Sequence, residues 1–335
     1  MASELERYTL RPATMDDVAA VTELENICCI EESGRPETKE SDMRLEFETP
    51  GFNLETDTRL VHDQSDKLVG YINVWDTSKP HVNIFLGGRV HPEHRGQGIG
   101  TAMLQWGEER ARQSIAKAPE GAQVTISQGC LSTDAPTADL FKLQGFALTR
   151  HFWRMVAELD GPPAAPALAD GITIRPFDPA SELPAVVKAL SDSFKDHWGY
   201  VDEPFEDKLA KWEQYIADHE NYDPNLFFVA LDGGQIAGIA LCWKKTVEDP
   251  EMGWVGTLGV RREWRRKGVG LALLLHSFNE FYARGQKRVG LGVDASSLTG
   301  ATRLYEKAGM RANRQWDRYE KVLRPGVDLR TQTAG

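Results

Sequence analysis

The sequence predicts two tandem α/β domains, each with a mixed sheet flanked by helices. Three observations carry this. The motif R-x-x-G-x-G occurs twice, at Arg95 to Gly100 and at Arg265 to Gly270. Each copy follows a β-like run and opens an amphipathic helix. Finally, flanking landmarks repeat in the same order: Arg11 in YTLRPATMDD and Arg175 in GITIRPFDPA lie 164 positions apart, the two glycine loops 170, and Gly145 and Gly309 again 164. A period of this size is that of a domain, far longer than a solenoid repeat.

Each copy opens with a short strand, Tyr8 to Arg11 and Ile172 to Arg175, before a helix. Thr14 and Asp17 supply capping chemistry for the first of these helices. Polar-rich helical segments follow, then two strands joined by a turn. These are Arg59 to His62 with Lys67 to Trp75 in the first copy, and Leu226 to Leu231 with Gln235 to Trp243 in the second. The D-G-G at 232–234 marks the second pair as a hairpin. A fourth strand, His81 to Val90 or Gly253 to Val260, leads into the glycine loop; glycines within it suggest a bulge or a close backbone approach. Leu271, Leu274, Leu275, Phe278 and Tyr282 then form one apolar stripe of a helix that Gly285 ends. A fifth strand alternates through Val289, Leu291 and Val293, matched by Val124 and Ile126 in the first copy. A last helix carries Leu304 and Tyr305, and a terminal strand runs near Tyr319 to Leu323. The order within a copy is β-α-α-β-β-β-α-β-α-β.

The expected division is a first domain over 1–159, a Pro-rich extended linker over 160–171, a second domain over 172–325, and a flexible tail over 326–335 with little to bury. The composition, 41% hydrophobic and 27% charged, is that of a globular chain. There is no apolar run long enough to span a membrane and no apolar leader at the start. Cys28, Cys29, Cys130 and Cys242 lack metal-site spacing and read as reduced thiols of a cytoplasmic protein, with no metal expected. A net charge of −11 argues against nucleic acid and acidic membrane surfaces. The basic cluster around Arg261 to Lys267 then reads as a local phosphate site. A monomer or homodimer is expected.

The chemistry lies in the loop. Between a strand and a helix, R-x-x-G-x-G lets the backbone come close to a ligand and points the unpaired N–H groups of the first helical turn at it. Those groups and the helix dipole favour an anion, most simply a pyrophosphate. No G-K-[ST] follows, so the loop is not a Walker motif, and the spacing is not the dinucleotide G-x-G-x-x-G.

This loop between a glycine-bearing strand and a helix, followed by a strand and by L-Y-E-K-A-G-M at 304–310, resembles the GCN5-related N-acetyltransferases. Nearly the whole chain is covered, as two such domains, and the tandem layout is similar to mycothiol synthase-like acetyltransferases. The resemblance implies a mostly antiparallel sheet with splayed fourth and fifth strands, acetyl-CoA as cofactor, and pantetheine lying in the splay. It implies that Leu258, Gly259 and Val260 meet the pantetheine and that Arg265, Arg266, Lys267, Gly268, Val269, Gly270 and Leu271 surround the pyrophosphate. Gly88, Arg89, Val90, Arg95, Gly96, Gln97, Gly98, Ile99 and Gly100 take those places in the first copy. The family's frequent asparagine eight residues before the tyrosine is Ser297 here and Thr133 in the first copy.

Tyr305 takes the family's general-acid position, and Phe141 stands there in the first copy, so catalysis is expected in the second domain. For the base, the strand-four glutamate of the mycothiol synthase-like group falls on Trp254, leaving Glu251 and His197 as candidates. The expectation is an acetyl-CoA-dependent N-acetyltransferase acting by direct attack of a small molecule's primary amine. The alternatives are a non-catalytic acyl-CoA-binding sensor or scaffold, and mycothiol synthase itself.

Overall fold

A computed structural model describes residues 7–218 and 222–333. The chain forms two compact units that divide at Thr149 and Arg150, but Trp316–Leu329 belongs to the first unit and the residues from Arg330 onward to the second.

The first unit contains β1 (Thr9–Arg11), α1 (Val18–Ser33), α2 (Glu40–Phe47), β2 (Thr58–His62), β3 (Leu68–Trp75), β4 (Asn83–Val90), α3 (Ile99–Gln113), β5 (Val124–Leu131) and α4 (Ala135–Leu143). A long strand closes each repeat: β6 (Ala147–Glu158) the first and β12 (Arg311–Arg324) the second. The second unit contains β7 (Ile172–Pro176), α5 (Pro179–Phe194), α6 (Phe205–Asp218), β8 (Phe227–Asp232), β9 (Gln235–Trp243), β10 (Met252–Val260), α7 (Val269–Ala283), β11 (Arg288–Asp294) and α8 (Ala301–Lys307).

The first sheet runs β1-β2-β3-β4-β5-β12 and the second β7-β8-β9-β10-β11-β6. In each, only the fourth and fifth strands are parallel. They touch for three residue pairs and then part. β4 leaves β5 after Phe85↔Ser127, and β10 leaves β11 after Trp254↔Gly290. This is the expected splay, and it leaves the outer half of each fourth strand with one open edge.

The last strands correct the expected domain boundaries. β12 lies antiparallel on β5, with Tyr319 opposite Gln128, and β6 lies on β11, with Arg154 opposite Gly292. Each sheet therefore takes its sixth strand from the other repeat. Alternation in the sequence identifies a strand and its buried face, but two homologous fifth strands offer equivalent edges, and nothing local says which is used. The expected free tail is also corrected. The Val327 N–H donates to the Gly121 carbonyl, and Thr331 exchanges backbone bonds with Gly199 and Tyr200. Backbone pairing holds a segment whose side-chain composition promises nothing. The last two residues of that expected tail lie outside the described residues. Residues 160–170 contain no helix or strand.

Local chemistry explains the elements that frame the site. Gly233 and Gly234, at φ 52° and 89°, make the two-residue turn between Asp232 and Gln235 that suits a right-twisted hairpin. α7 packs Leu273, Leu274, Phe278 and Phe281 against Val289 and Leu291, one layer of the second core. The buried stripe is rotated from the sequence expectation, because Phe281 is buried and Tyr282 is 38% exposed. α5 covers the other face with Val186 and Val187 against Val229 and Ile239. The four cysteines are buried free thiols, each raised by burial, Cys242 to about 12. Among the described residues no His, Cys, Asp or Glu cluster is suited to a metal, and no helix is long and apolar enough to cross a membrane.

Candidate active site

The second unit assembles the site at the fork of β10 and β11. Just past the fork, the register of β10 against β9 shifts between Val255 and Thr257. Gly256 is the bulged residue; a Cβ there would lie 2.3 Å from the Trp243 indole nitrogen. Beyond it Leu258, Gly259 and Val260 pair with β9 alone, so their other edge is open. A Cβ on Gly259 would lie 2.9 Å from the Ser193 Cβ, so the end of α5 covers this stretch closely. β4 of the first unit pairs with β3 from Trp75↔Phe85 to Gly70↔Val90 without such a shift.

At the end of β10 the chain turns through a short 3-10 segment, Arg262–Trp264, and enters α7. Gly268 occupies its N-cap at φ 81° with no side chain capping it. The first intrahelical bond is Ala272 N–H to Gly268 O. The N–H groups of Val269, Gly270 and Leu271 thus precede the helical ladder, next in sequence to exposed Arg266 and Lys267. The first unit repeats the arrangement. Gly98 at φ 83° caps α3 with no side-chain bond, and Ala102 N–H donates to Gly98 O.

Several expected ligand groups are committed elsewhere. Arg265 donates from Nε to Val260 O at 3.1 Å and from Nη2 to Ser193 O at 3.0 Å, and its Nη1 binds Asp196. Arg95 likewise donates to Val90 O at 3.3 Å and pairs with Glu31 at 2.5 Å. The leading arginine of each motif therefore ties the loop to the preceding strand and to a carboxylate from the helical face. A guanidinium with several fixed donors suits that structural task as well as it suits phosphate. Gln97 accepts from Tyr8 OH at 2.8 Å, and Arg89 pairs with Glu25 at 3.1 Å. Ser297 Oγ accepts from Ala301 N at 3.3 Å, so it serves the start of α8.

Tyr305 lies on α8, 8% exposed, and burial alone pushes its phenol up to about 12. It holds its proton at neutral pH. The pairing of Tyr305 with Phe141 is visible in the backbone. Met310 N donates to Tyr305 O and Phe146 N donates to Phe141 O, both at 3.0 Å. Phe141 packs on Tyr319 at 5.4 Å between ring centroids.

The two base candidates separate. Glu251 stands before β10, at the closed end of the fork, with its side chain 48% exposed and bound to Lys287 at 2.6 Å and Arg288 at 3.4 Å. The Lys287 hydrogen bond holds its carboxyl below the usual range. Three residues of strand put it ~10 Å short of the fork. His197 is half-buried, its ring tilted against Phe194 with 4.3 Å between centroids, and burial followed by the Arg265 charge lowers its pKa, so it is a neutral imidazole. Its charged neighbours include Arg265, Asp196 and Asp294.

Two carboxylates have structural partners that the sequence does not announce. Asp196, only 4% exposed, binds both Arg262 and Arg265. In the first unit Glu46 on α2 accepts from Asn73 Nδ2 at 2.9 Å, and Asn73 Oδ1 accepts from the Gly87 N–H at 2.8 Å, two residues past the fork of β4. Burial and then Glu25 raise the Glu46 carboxyl to about 7. Nothing in S-D-M-R-L-E-F distinguishes this glutamate from a solvated helix residue; the signal is a tertiary contact.

The geometry agrees with known proteins. The model of the acetyltransferase (GNAT) family matches residues 19–146 and 185–310. A mycothiol acetyltransferase of Streptomyces bingchenggensis is 30% identical over 263 residues, covering 75% of this chain and 76% of that protein. One from Thermobispora bispora is 29% identical over 257 residues, covering 75% and 78%. Among solved structures, a GCN5-related N-acetyltransferase from Sphaerobacter thermophilus matches with a TM-score of 0.79 and 33% identity over 97% of this chain and 98% of that one. A tandem GNAT protein from the clavulanic acid biosynthesis pathway shares the fold, with a TM-score of 0.71 at 18% identity over 95% and 99%.

Proposed function

The chain belongs to the acetyltransferase (GNAT) family of acyltransferases, and on that premise we propose that its second unit moves an acetyl group from acetyl-CoA to the primary amine of a small molecule. The orphan N–H groups at the start of α7, with Arg266 and Lys267, would receive the pyrophosphate. The open edge of Leu258 to Val260 would pair with the pantetheine amides. The amine nitrogen attacks the thioester carbonyl carbon; a C–N bond forms, the C–S bond breaks, and the thiolate takes the Tyr305 proton. The nitrogen's surplus proton goes to neutral His197, directly or through water.

The observation that carries this reading is the asymmetry of two otherwise matched cradles. Only the second has a buried phenol on the helix beside the fork and a bulge at the start of the open edge. The decisive experiment is an amine screen that follows free CoA release, run on the wild type and on Gly268→Glu and Gly98→Glu variants. Turnover should survive Gly98→Glu and vanish with Gly268→Glu; the opposite pattern would move the active site to the first unit. Acetyl-CoA binding with no turnover on any amine would favour the sensor. Similarity to the mycothiol acetyltransferases favours a second reading, in which the acceptor is that of a mycothiol acetyltransferase. Including that amine in the screen separates it from other acceptors.

A further inference from the structure

The loop between α5 and α6 is held by the end of the chain. Gly199 N–H donates to Thr331 O and Thr331 N–H donates to Tyr200 O, both at 2.9 Å, a small two-way backbone bridge. Thr331 Oγ1 donates to Lys195 O at 3.0 Å, and Trp198 Nε1 donates to Gln332 Oε1 at 3.0 Å. The Arg330 guanidinium lies over the Trp198 ring at 5.5 Å, and Arg330 is 8% exposed. Lys195, Trp198, Gly199 and Tyr200 are thus each touched by Arg330–Gln332. Asp196 and His197, within the same loop, are tied to the arginines of the glycine loop. Asp196 binds Arg262 and Arg265, and His197 has Arg265 and Asp294 among its charged neighbours.

The first unit handles the corresponding loop differently. Asn26, on its own helix α1, accepts from the N–H groups of Glu37 and Thr38 at 3.0 Å and donates to Thr38 O at 2.9 Å. One asparagine in the same helix replaces what a distant segment does in the second unit. In the second unit the Ser191 and Ser193 hydroxyls both bond back to α5 itself, and the helix meets the loop through Asp192, which accepts from Lys195 Nζ at 2.8 Å, and through the Phe194 carbonyl, which accepts from the His197 N–H at 2.9 Å.

We propose that Arg330–Gln332 is a positioning strap for the second cradle, which fixes the 195–200 loop and, through Asp196, holds the arginines that set the glycine loop. The proposal rests on reading that loop as an acetyl-CoA cradle. By linkage, acetyl-CoA bound there must also tighten the strap, since coupling between two sites is reciprocal.

The test is a chain ended at Leu329, with Arg330→Ala as a milder variant should the truncation fail to fold, and Arg330→Lys as a control that keeps the charge without the planar stack. Gly98→Glu silences the first cradle in all of them. The acetyl-CoA Kd should rise about tenfold on truncation while kcat at saturation changes little. Amide exchange over 262–268 should quicken, and exchange over 330–332 in the full chain should slow when acetyl-CoA is added. A strap that merely stabilises would lower the melting temperature and leave the Kd and the 262–268 exchange alone; that outcome overturns the proposal. If the full chain fails to bind acetyl-CoA, the cradle reading falls, and unchanged exchange over 262–268 in the truncated chain would still defeat the strap.

Discussion

At the scale of single residues, the proposed acid has a clear physical standing. Tyr305 is protonated, buried and unaided by any charge, which suits the proposed gift of a proton to a departing thiolate. Tyr305→Phe keeps the ring and removes one hydroxyl. We expect kcat to fall by ~10²–10⁴-fold with acetyl-CoA affinity nearly unchanged, measured by steady-state kinetics and calorimetry. Wild-type turnover in that variant would reduce Tyr305 to a packing residue and remove the significance of Phe141. Glu46 supports a different measurement. Its carboxyl is raised from 4.5 to about 7, so between those values the folded chain binds more protons than the unfolded one. Its contribution is fully present below about 4.5 and is lost as pH rises through about 7. Glu46→Gln retains an acceptor for Asn73 and should flatten the fall in stability over that window, read from denaturant midpoints at several pH values. An unaltered pH slope would show that another group carries it.

Tyr305 stands out in the sequence through its place in a repeated motif, whereas the bonds that Arg95, Arg265 and Ser297 make within the fold do not. Residue type reported their chemistry correctly, as donors and an acceptor near the loop. It could not report that Val260 O, Asp196 and the start of α8 already use that chemistry. The surroundings of Glu251 are illegible for a related reason. Its distance along the strand looked acceptable, while its partners, Lys287 and Arg288, become neighbours only when β10 and β11 pair.

At the scale of elements, the strand, glycine loop and helix were legible because each carries its own local signal. The splay itself has none, since a strand that loses a neighbour halfway keeps its alternation. The loop supplies a clean test. A Cβ on Gly268 meets nothing within 4 Å, but the residue sits at φ 81°. Gly268→Ala therefore costs only the left-handed backbone, about 1–2 kcal/mol, and should weaken acetyl-CoA binding modestly. Gly268→Glu adds a negative charge where phosphates would sit and should abolish binding by the second unit. Equal effects from both variants in calorimetry would mean that backbone strain, and not an anion, explains the glycine. Gly270 works differently, since a Cβ there would lie 2.9 Å from Leu304 Cδ1; its small size sets how closely α8, and with it Tyr305, approaches α7.

At the scale of the whole molecule, duplication was readable and the exchange of last strands was not. The repeat offsets state that two similar folds exist, whereas the exchange decides which residues complete each of them. The first unit needs residues 316–324 to cover β5, and they bring Tyr319 at 2% and Leu323 at 8% exposure. Burying each such side chain contributes roughly 1.5–3 kcal/mol, against a typical total of about 5–15 kcal/mol for a domain. The second unit likewise needs β6, with Met155 and Ala157 in its core. Fragments cut where the sequence suggests, 1–159 and 160–335, would therefore each carry the other's sixth strand and lack their own. Each fragment alone should be aggregation-prone or only partly folded, because β5 or β11 then presents an unpaired edge. Mixing the two during refolding should restore a cooperative transition, followed by circular dichroism and amide exchange over 124–131. A 1–159 fragment that melts cooperatively by itself, with 124–131 protected, would show that β6 can fold back onto its own repeat and that the exchange is dispensable for stability.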